Sequence, residues 1–202
     1  VKIGMVANVG IAEAIAEVLA RHRPPFVVFD PVMAASTHKR LMNESDLERI
    51  RTALLPQVSL LTPNLKEAAR LLDIAQPVDE AGMHACLPAL QALGVPNVLL
   101  KGGHLADDTP DAPESTDLLA TPEGVIRLSA PRIATRHGHG TGCTLSSAIA
   151  ALWPQHGLEK ATRMAKDYVH GALLHADALQ VGHGRGPLHH FWQAVHLPGQ
   201  LA

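Results

Sequence analysis

Short runs rich in β-branched and leucine residues alternate with segments of helical period along the first half of this chain. VKIGMV (1–6), FVVFD (26–30), VSLLT (58–62) and NVLLKGG (97–103) have the length and apolar character of buried strands. Between them, Ile11, Ile15, Val18 and Leu19 share one helical face. A second helix over about 45–55 begins with Ser45 and Glu48 at capping-box spacing, and helical patterns follow at 65–73 and 79–93. This alternation predicts βα units around a mostly parallel sheet, an α/β fold. The pattern then changes. DLLATPEGVIRLSAPRI (117–133) holds two strand-like runs around Pro122, Glu123 and Gly124, a hairpin signal, and helical periods at about 143–153 and 158–179 follow. Only ADDTPDAPES (106–115) reads as a mobile surface loop.

Parallel strands direct attention to one rim, because ligands of open α/β sheets sit outside the carboxyl ends of the strands. Those ends are polar here. Asp30 closes FVVFD, Thr62 and Asn64 follow VSLL, and Lys101, Gly102 and Gly103 follow NVLL. With the turn Gly140, Thr141, Gly142, four segments are expected to deliver polar groups to the same place.

Composition narrows the function. The 202 residues are 47% hydrophobic and 18% charged, enough for one domain with a sizeable core. A net charge of −2 offers no bulk attraction for nucleic acid or an anionic membrane, so neither is expected as a partner. No apolar run reaches the length of a membrane span. Cys86 and Cys143 lie in unrelated contexts without CxxC spacing, which fits a reducing cytoplasm. The 13 histidines include His183, His189 and His190, whose spacing matches no helical ligand pair.

Gly140, Thr141 and Gly142 before a helix leave backbone N–H groups unpaired, with the positive end of the helix dipole behind them, which is an anion cradle. Cys143 follows, either as a thiol stabilised by that field or as a small buried residue. Asn64 and Glu67, three apart across a helix start, suit a hydrated Mg²⁺ or, equally, a capping box. Asp30 before Pro31 can approach Mg²⁺ through water or cap its turn. Lys101 before two glycines is placed to meet a transferring phosphate, or to snorkel at the rim.

Six stretches, KIGMVA, DPVM, LLTPNLKEA, LLKGGHL, HGTGCTLSSAIAA and VGHGRGPLHHF, resemble in order and spacing the hydroxymethylpyrimidine/phosphomethylpyrimidine kinases of thiamine biosynthesis, members of the ribokinase-like superfamily. The resemblance runs from Val1 to about Trp192. It implies a three-layer ribokinase-like fold and two ATP-dependent phosphorylations, of 4-amino-5-hydroxymethyl-2-methylpyrimidine and then of its monophosphate. Cys143 then takes the place of the superfamily's catalytic base, usually an aspartate, and Gly140, Thr141 and Gly142 form the anion hole. The helix N-terminus and Lys101 are expected to lower the thiol pKa. The resemblance further puts Asp30 and Glu67 around Mg²⁺, Asn64 and Lys101 beside the phosphates, Met5 against the pyrimidine, and Val181 and Gly184 beside the nucleotide. It also carries a homodimer.

The chain departs from the family in three places. His137 and Gly138 stand where an Asn-Thr pair is usual, and ASTHKRL, with Thr37, His38 and Lys39, replaces a Ser-Gly-Asp stretch. The sequence opens on a strand without an initiator Met, and the family's first strand, Gly-rich substrate loop and following helices would precede Val1. The expectation is a single ribokinase-like kinase domain over 1–202, N-terminally incomplete. Competing readings are a pyridoxal or pyridoxine kinase, an inactive truncated remnant and, most remotely, a histidine-rich metal store.

Overall fold

The computed structural model of the chain describes residues 1–33, 44–103, 105 and 114–194. Six strands form one mixed sheet in sequence order: β1 (Lys2–Ile3), β2 (Val28–Phe29), β3 (Leu60–Leu61), β4 (Asn97–Lys101), β5 (Glu114–Thr121) and β6 (Gly124–Pro131). The first four are parallel, with Lys2 opposite Val28, Val28 opposite Leu60 and Leu60 opposite Asn97. β5 runs antiparallel to β4 and pairs with β6 across the expected turn at Pro122 and Glu123. Backbone bonds extend the short parallel ladders toward their carboxyl ends. Asp30 N donates to Ile3 O, Thr62 N to Phe29 O and Lys101 N to Pro63 O, each at 2.9 Å.

Six helices cover the two faces: α1 (Val9–His22), α2 (Glu44–Leu54), α3 (Leu65–Leu72), α4 (Glu80–Gln91), α5 (Thr141–His156) and α6 (Leu158–Leu174). Ile3, Phe29, Leu61, Val98 and Leu100 pack against Leu19, Ile50, Leu65, Met83 and Leu87 of α1 to α4. Val28, Leu60, Leu99 and Leu119 pack against Leu145, Ile149, Ala165 and Val169 of α5 and α6. The result is the expected three-layer α/β fold. Alternation along a strand has a further consequence. Asp30, Thr62 and Lys101 lie two residues beyond Val28, Leu60 and Leu99, so all three fall on the face that carries α5.

Local boundaries differ from the sequence reading where polar contacts override periodicity. α1 buries Val9, Ala12 and Leu19, leaving Ile11 and Val18 exposed. α2 begins at Glu44, so Ser45 lies within it, and Glu48 pairs with Arg51 at 3.0 Å. α5 begins two residues earlier than its apolar pattern, which places Cys143 inside its first turn, and α6 ends at Leu174. Glu114 and Ser115, assigned to a loop from sequence, open β5. Thr37, His38 and Lys39, and the rest of the 106–113 segment, lie outside the described residues.

Candidate functional site

The carboxyl ends of β2, β3 and β4 meet beneath the N-terminus of α5. Lys101 Nζ donates to Asp30 Oδ1 at 2.7 Å, and Thr62 Oγ1 lies 3.3 Å from the same oxygen. The ion pair is largely withdrawn from water, the Asp30 side chain being 2% exposed and that of Lys101 14%. A Cβ placed on Gly142 would lie 3.0 Å from Lys101 Nζ and 3.8 Å from Asp30 Oδ2, so the first turn of α5 rests directly on the pair. Asn64 bridges to Lys101 through the backbone. The sequence-predicted group Asp30, Asn64, Glu67, Lys101 and Gly142 is therefore brought together.

The cradle has the expected form. Gly140 caps α5 in the left-handed region, φ 90°, with no side-chain cap. The Thr141 hydroxyl donates to Gly138 O at 2.8 Å and fixes the turn, while Thr144 N closes the first helical bond onto Gly140 O. Among the described residues the N–H groups of Gly142 and Cys143 find no acceptor in the chain. They are free for an anion.

Both readings of Asn64 and Glu67 hold at once. Asn64 N donates to Glu67 Oε2 at 2.7 Å and Glu67 N to Asn64 Oδ1 at 2.9 Å, a complete capping box. Yet Glu67 is buried, and that burial raises its carboxyl pKa to about 7; the Lys101 charge and the Asn64 N–H oppose the rise, and the Asp30 charge adds to it. Glu67 Oε1 and Asp30 Oδ2 remain as oxygen donors, and these two carboxylates are the groups that can hold a divalent cation. Among the described residues no group of three or more His, Cys, Asp or Glu side chains is placed to do so.

Cys143 overturns one expectation. Its thiol pKa is raised, first by desolvation around the sulfur and then by Asp30, both as a charge and as a hydrogen-bond partner, against the opposing charges of Lys2 and Lys101. The residue is nevertheless exposed, whereas Cys86 is buried. Desolvation, with the Asp30 carboxylate adding to it, outweighs the groups that favour the thiolate, and sequence spacing reveals neither.

The remaining predicted residues lie at the periphery. Met5, 56% exposed, lies two residues beyond the end of β1 at the rim without covering it. Val181 and Gly184 sit on an exposed loop whose base is tied to the cradle, His139 N donating to Gly186 O at 3.3 Å and His139 bridging to Pro187. Sequence reasoning missed three supports. Asp117 accepts from Gly102 N at 3.0 Å and from Lys166 Nζ at 2.6 Å, anchoring the turn after Lys101. His190 reaches the Thr144 hydroxyl at 3.0 Å, pinning the C-terminal segment to α5. Buried His137 sets Nε2 3.4 Å from Asp177 Oδ1, and with Ala134, Thr135, Arg136 and Asp177 it lines an open hollow of about 520 Å³ beside the cradle. A polar strand residue or a lone histidine gives no spacing signal for any of these.

Residues 1–189 match the family described as phosphomethylpyrimidine kinase. A hydroxymethylpyrimidine/phosphomethylpyrimidine kinase of Salmonella typhimurium is 50% identical over 191 residues, which cover 94% of this chain and 70% of that protein. Among solved structures, a pyridoxal kinase of Bacillus subtilis in complex with ADP superposes with a TM-score of 0.85 at 26% identity, covering 96% of this chain and 71% of that one. A phosphomethylpyrimidine kinase of Clostridium difficile gives a TM-score of 0.68 at 31% identity, covering 85% and 67%.

Proposed function

The chain belongs to the phosphomethylpyrimidine kinase family, and from that premise we propose that it transfers the γ-phosphoryl group of ATP to 4-amino-5-hydroxymethyl-2-methylpyrimidine and then to the resulting monophosphate. The observation that carries the reading is the Lys101–Asp30 pair lying directly under the unpaired N–H groups of α5, with Cys143 in the same turn. Phosphoryl transfer asks mostly for positioning and charge neutralisation, which this arrangement supplies.

In the first transfer the substrate hydroxymethyl oxygen forms a bond to the γ-phosphorus, the bond from phosphorus to the β–γ bridging oxygen breaks, and ADP leaves. Gly142 and Cys143 N–H donate to the transferring group's oxygens and Lys101 offsets their charge. The proton lost by the hydroxyl passes to Cys143 Sγ. Because the thiol pKa is raised, only a small thiolate fraction is present at neutral pH, so this contribution grows as pH rises. Asp30 and Glu67 suit Mg²⁺, a hard cation bound through one or two carboxylates plus substrate phosphates, and when bound it would neutralise charge on those phosphates. Asn64 holds Glu67 in place and lies beside the phosphates. Met5 packs its thioether on the pyrimidine ring. Val181 and Gly184, with the hollow at His137 and Asp177, take the nucleoside part of ATP.

Family resemblance also supports a cytoplasmic homodimer, which light scattering on the purified chain tests; no helix among the described residues is long and apolar enough to cross a membrane. The activity is tested by incubating the protein with Mg-ATP and either the hydroxymethylpyrimidine, its monophosphate or pyridoxal, with products read by mass spectrometry. Mono- and diphosphorylated pyrimidine are expected. Phosphorylated pyridoxal alone would move the assignment to pyridoxal kinase, the activity of the Bacillus subtilis relative.

A further inference from the structure

Lys2 opens β1 opposite Val28, on the sheet face that carries α5. Gly4, two residues on, shares that face. It lies level with Asp30, whose N–H bonds to Ile3 O. Lys2 Nζ sits 2.9 Å from where a Cβ on Gly4 would be, so the side chain runs along the strand toward the rim through the space that glycine leaves open. Lys2 is half-buried, and among the described residues its ammonium has no ion pair. Lys101 is committed to Asp30 at 2.7 Å and Lys166 to Asp117 at 2.6 Å. Lys2 also acts on Cys143, where its charge opposes the rise of the thiol pKa.

The two proposed transfers differ in what they ask of this corner. The first acceptor is a neutral alcohol that must lose a proton. The second is a phosphate monoester, close to a dianion at neutral pH because its second pKa is near 6. Its oxygen already carries the attacking electron pair. That oxygen's pair forms the bond to the γ-phosphorus, the bond from phosphorus to the β–γ bridging oxygen breaks, ADP leaves with the electron pair of that broken bond, and no proton needs to be taken up. The second transfer therefore replaces a demand for a base with a demand for positive charge. Lys101 is paired with Asp30 and already assigned to the γ-phosphoryl group, so a second phosphate calls for a second cation.

We propose that Lys2 is the residue that receives the phosphate of the monophosphate acceptor, so that it sets the balance between the two transfers. The inference rests on the two-step reaction above and on Met5, just beyond the end of β1, marking the acceptor side. Lys2 holds the acceptor phosphate by a charge-assisted hydrogen bond while the cradle and Lys101 serve the γ-phosphoryl group.

The test measures kcat/KM for each transfer in the parent and in Lys2→Met, which keeps the aliphatic stem. The second transfer is expected to fall roughly 10- to 100-fold, the worth of one hydrogen bond to a charged group, and at least about ten times more than the first. Lys2→Arg, which retains a cation, is expected to restore most of the difference. Gly4→Ala, which displaces the ammonium without removing it, is expected to lower the same ratio. Equal losses in both transfers, or no loss in either, overturn the proposal. A parent that phosphorylates neither compound overturns the proposed function instead, and calorimetry without nucleotide then decides on Lys2. Tighter binding of the monophosphate than of the alcohol, abolished by Lys2→Met, supports its role; no such preference in the parent overturns it.

Discussion

Lys101 and Asp30, 71 positions apart in the chain, are joined by a 2.7 Å ion pair that is almost closed to water. Removing one partner strands the other's charge in a site of low dielectric. Lys101→Met is expected to cost about 3 kcal/mol or more in urea unfolding, the usual consequence of breaking a buried pair. Asp30→Asn combined with Lys101→Met removes both charges and is expected to recover most of that stability. Neither variant is expected to regain turnover, because the phosphate has lost its cation. Recovery of activity along with stability would make the pair a packing device.

Glu67 links pH, metal and stability. An acid whose pKa is raised on folding, here from 4.5 to about 7, holds its proton more tightly in the folded state. That advantage is complete below about pH 4.5 and is lost as pH climbs through about 7, so this group makes stability fall with rising pH across that window. The full effect is about 3 kcal/mol at most in the metal-free protein. Glu67→Gln is expected to flatten this part of the profile in thermal melts while keeping an oxygen for the Asn64 N–H. Mg²⁺ is expected to raise the parent Tm at pH 8, with EDTA reversing the shift and the variant responding much less. Overlaid Mg²⁺ titrations would leave Glu67 as a helix cap alone.

Much of this site is legible in the sequence because strand ends are. Asp30, Asn64 and Lys101 each follow an apolar run, and a parallel sheet must bring such ends to one rim. The capping spacing of Asn64 and Glu67 is equally visible, though spacing cannot say whether a cap also faces a ligand. Periodicity alone misplaces the start of α5, because Thr141 and Gly142 add nothing to the apolar pattern that follows. The direction of the Cys143 shift depends first on desolvation of the thiol and then on Asp30, both of which only the fold supplies. Lys2 reads as an ordinary strand-end lysine until Gly4 is seen to leave a path for its ammonium.

Cys143→Ala separates the transfers in the opposite sense from Lys2→Met. A base matters where a hydroxyl must be deprotonated, so the first transfer is expected to fall about 10²-fold, and about ten times more than the second. Nucleotide affinity should change little, since the cradle's N–H groups belong to the backbone. The parent's first-transfer rate is expected to rise with pH into the alkaline range where the displaced thiol ionises, and the second should not follow that rise. Matching pH profiles for the two would remove Cys143 as the base. Faster alkylation of Cys143 than of Cys86 would not decide the matter, because Cys143 is exposed and Cys86 buried.

Gly140 and Gly142 have different reasons for being glycine, and alanine at each should reveal them. At Gly140 the obstacle is conformation. Its φ of 90° lies where L-residues are disfavoured, but a Cβ would meet nothing within 4 Å. Gly140→Ala is expected to cost about 1–2 kcal/mol of stability and to weaken binding through a shifted cradle. At Gly142 the obstacle is Lys101, whose Nζ lies 3.0 Å from the added carbon, while the helical backbone accepts alanine readily. Gly142→Ala is expected to hold or gain up to about 1 kcal/mol from helix propensity while turnover falls steeply, because the methyl group occupies the approach of the γ-phosphate to Lys101. If Gly142→Ala keeps full activity with unchanged affinity for ATP, phosphate does not pass between α5 and Lys101, and the site must engage its nucleotide from another side.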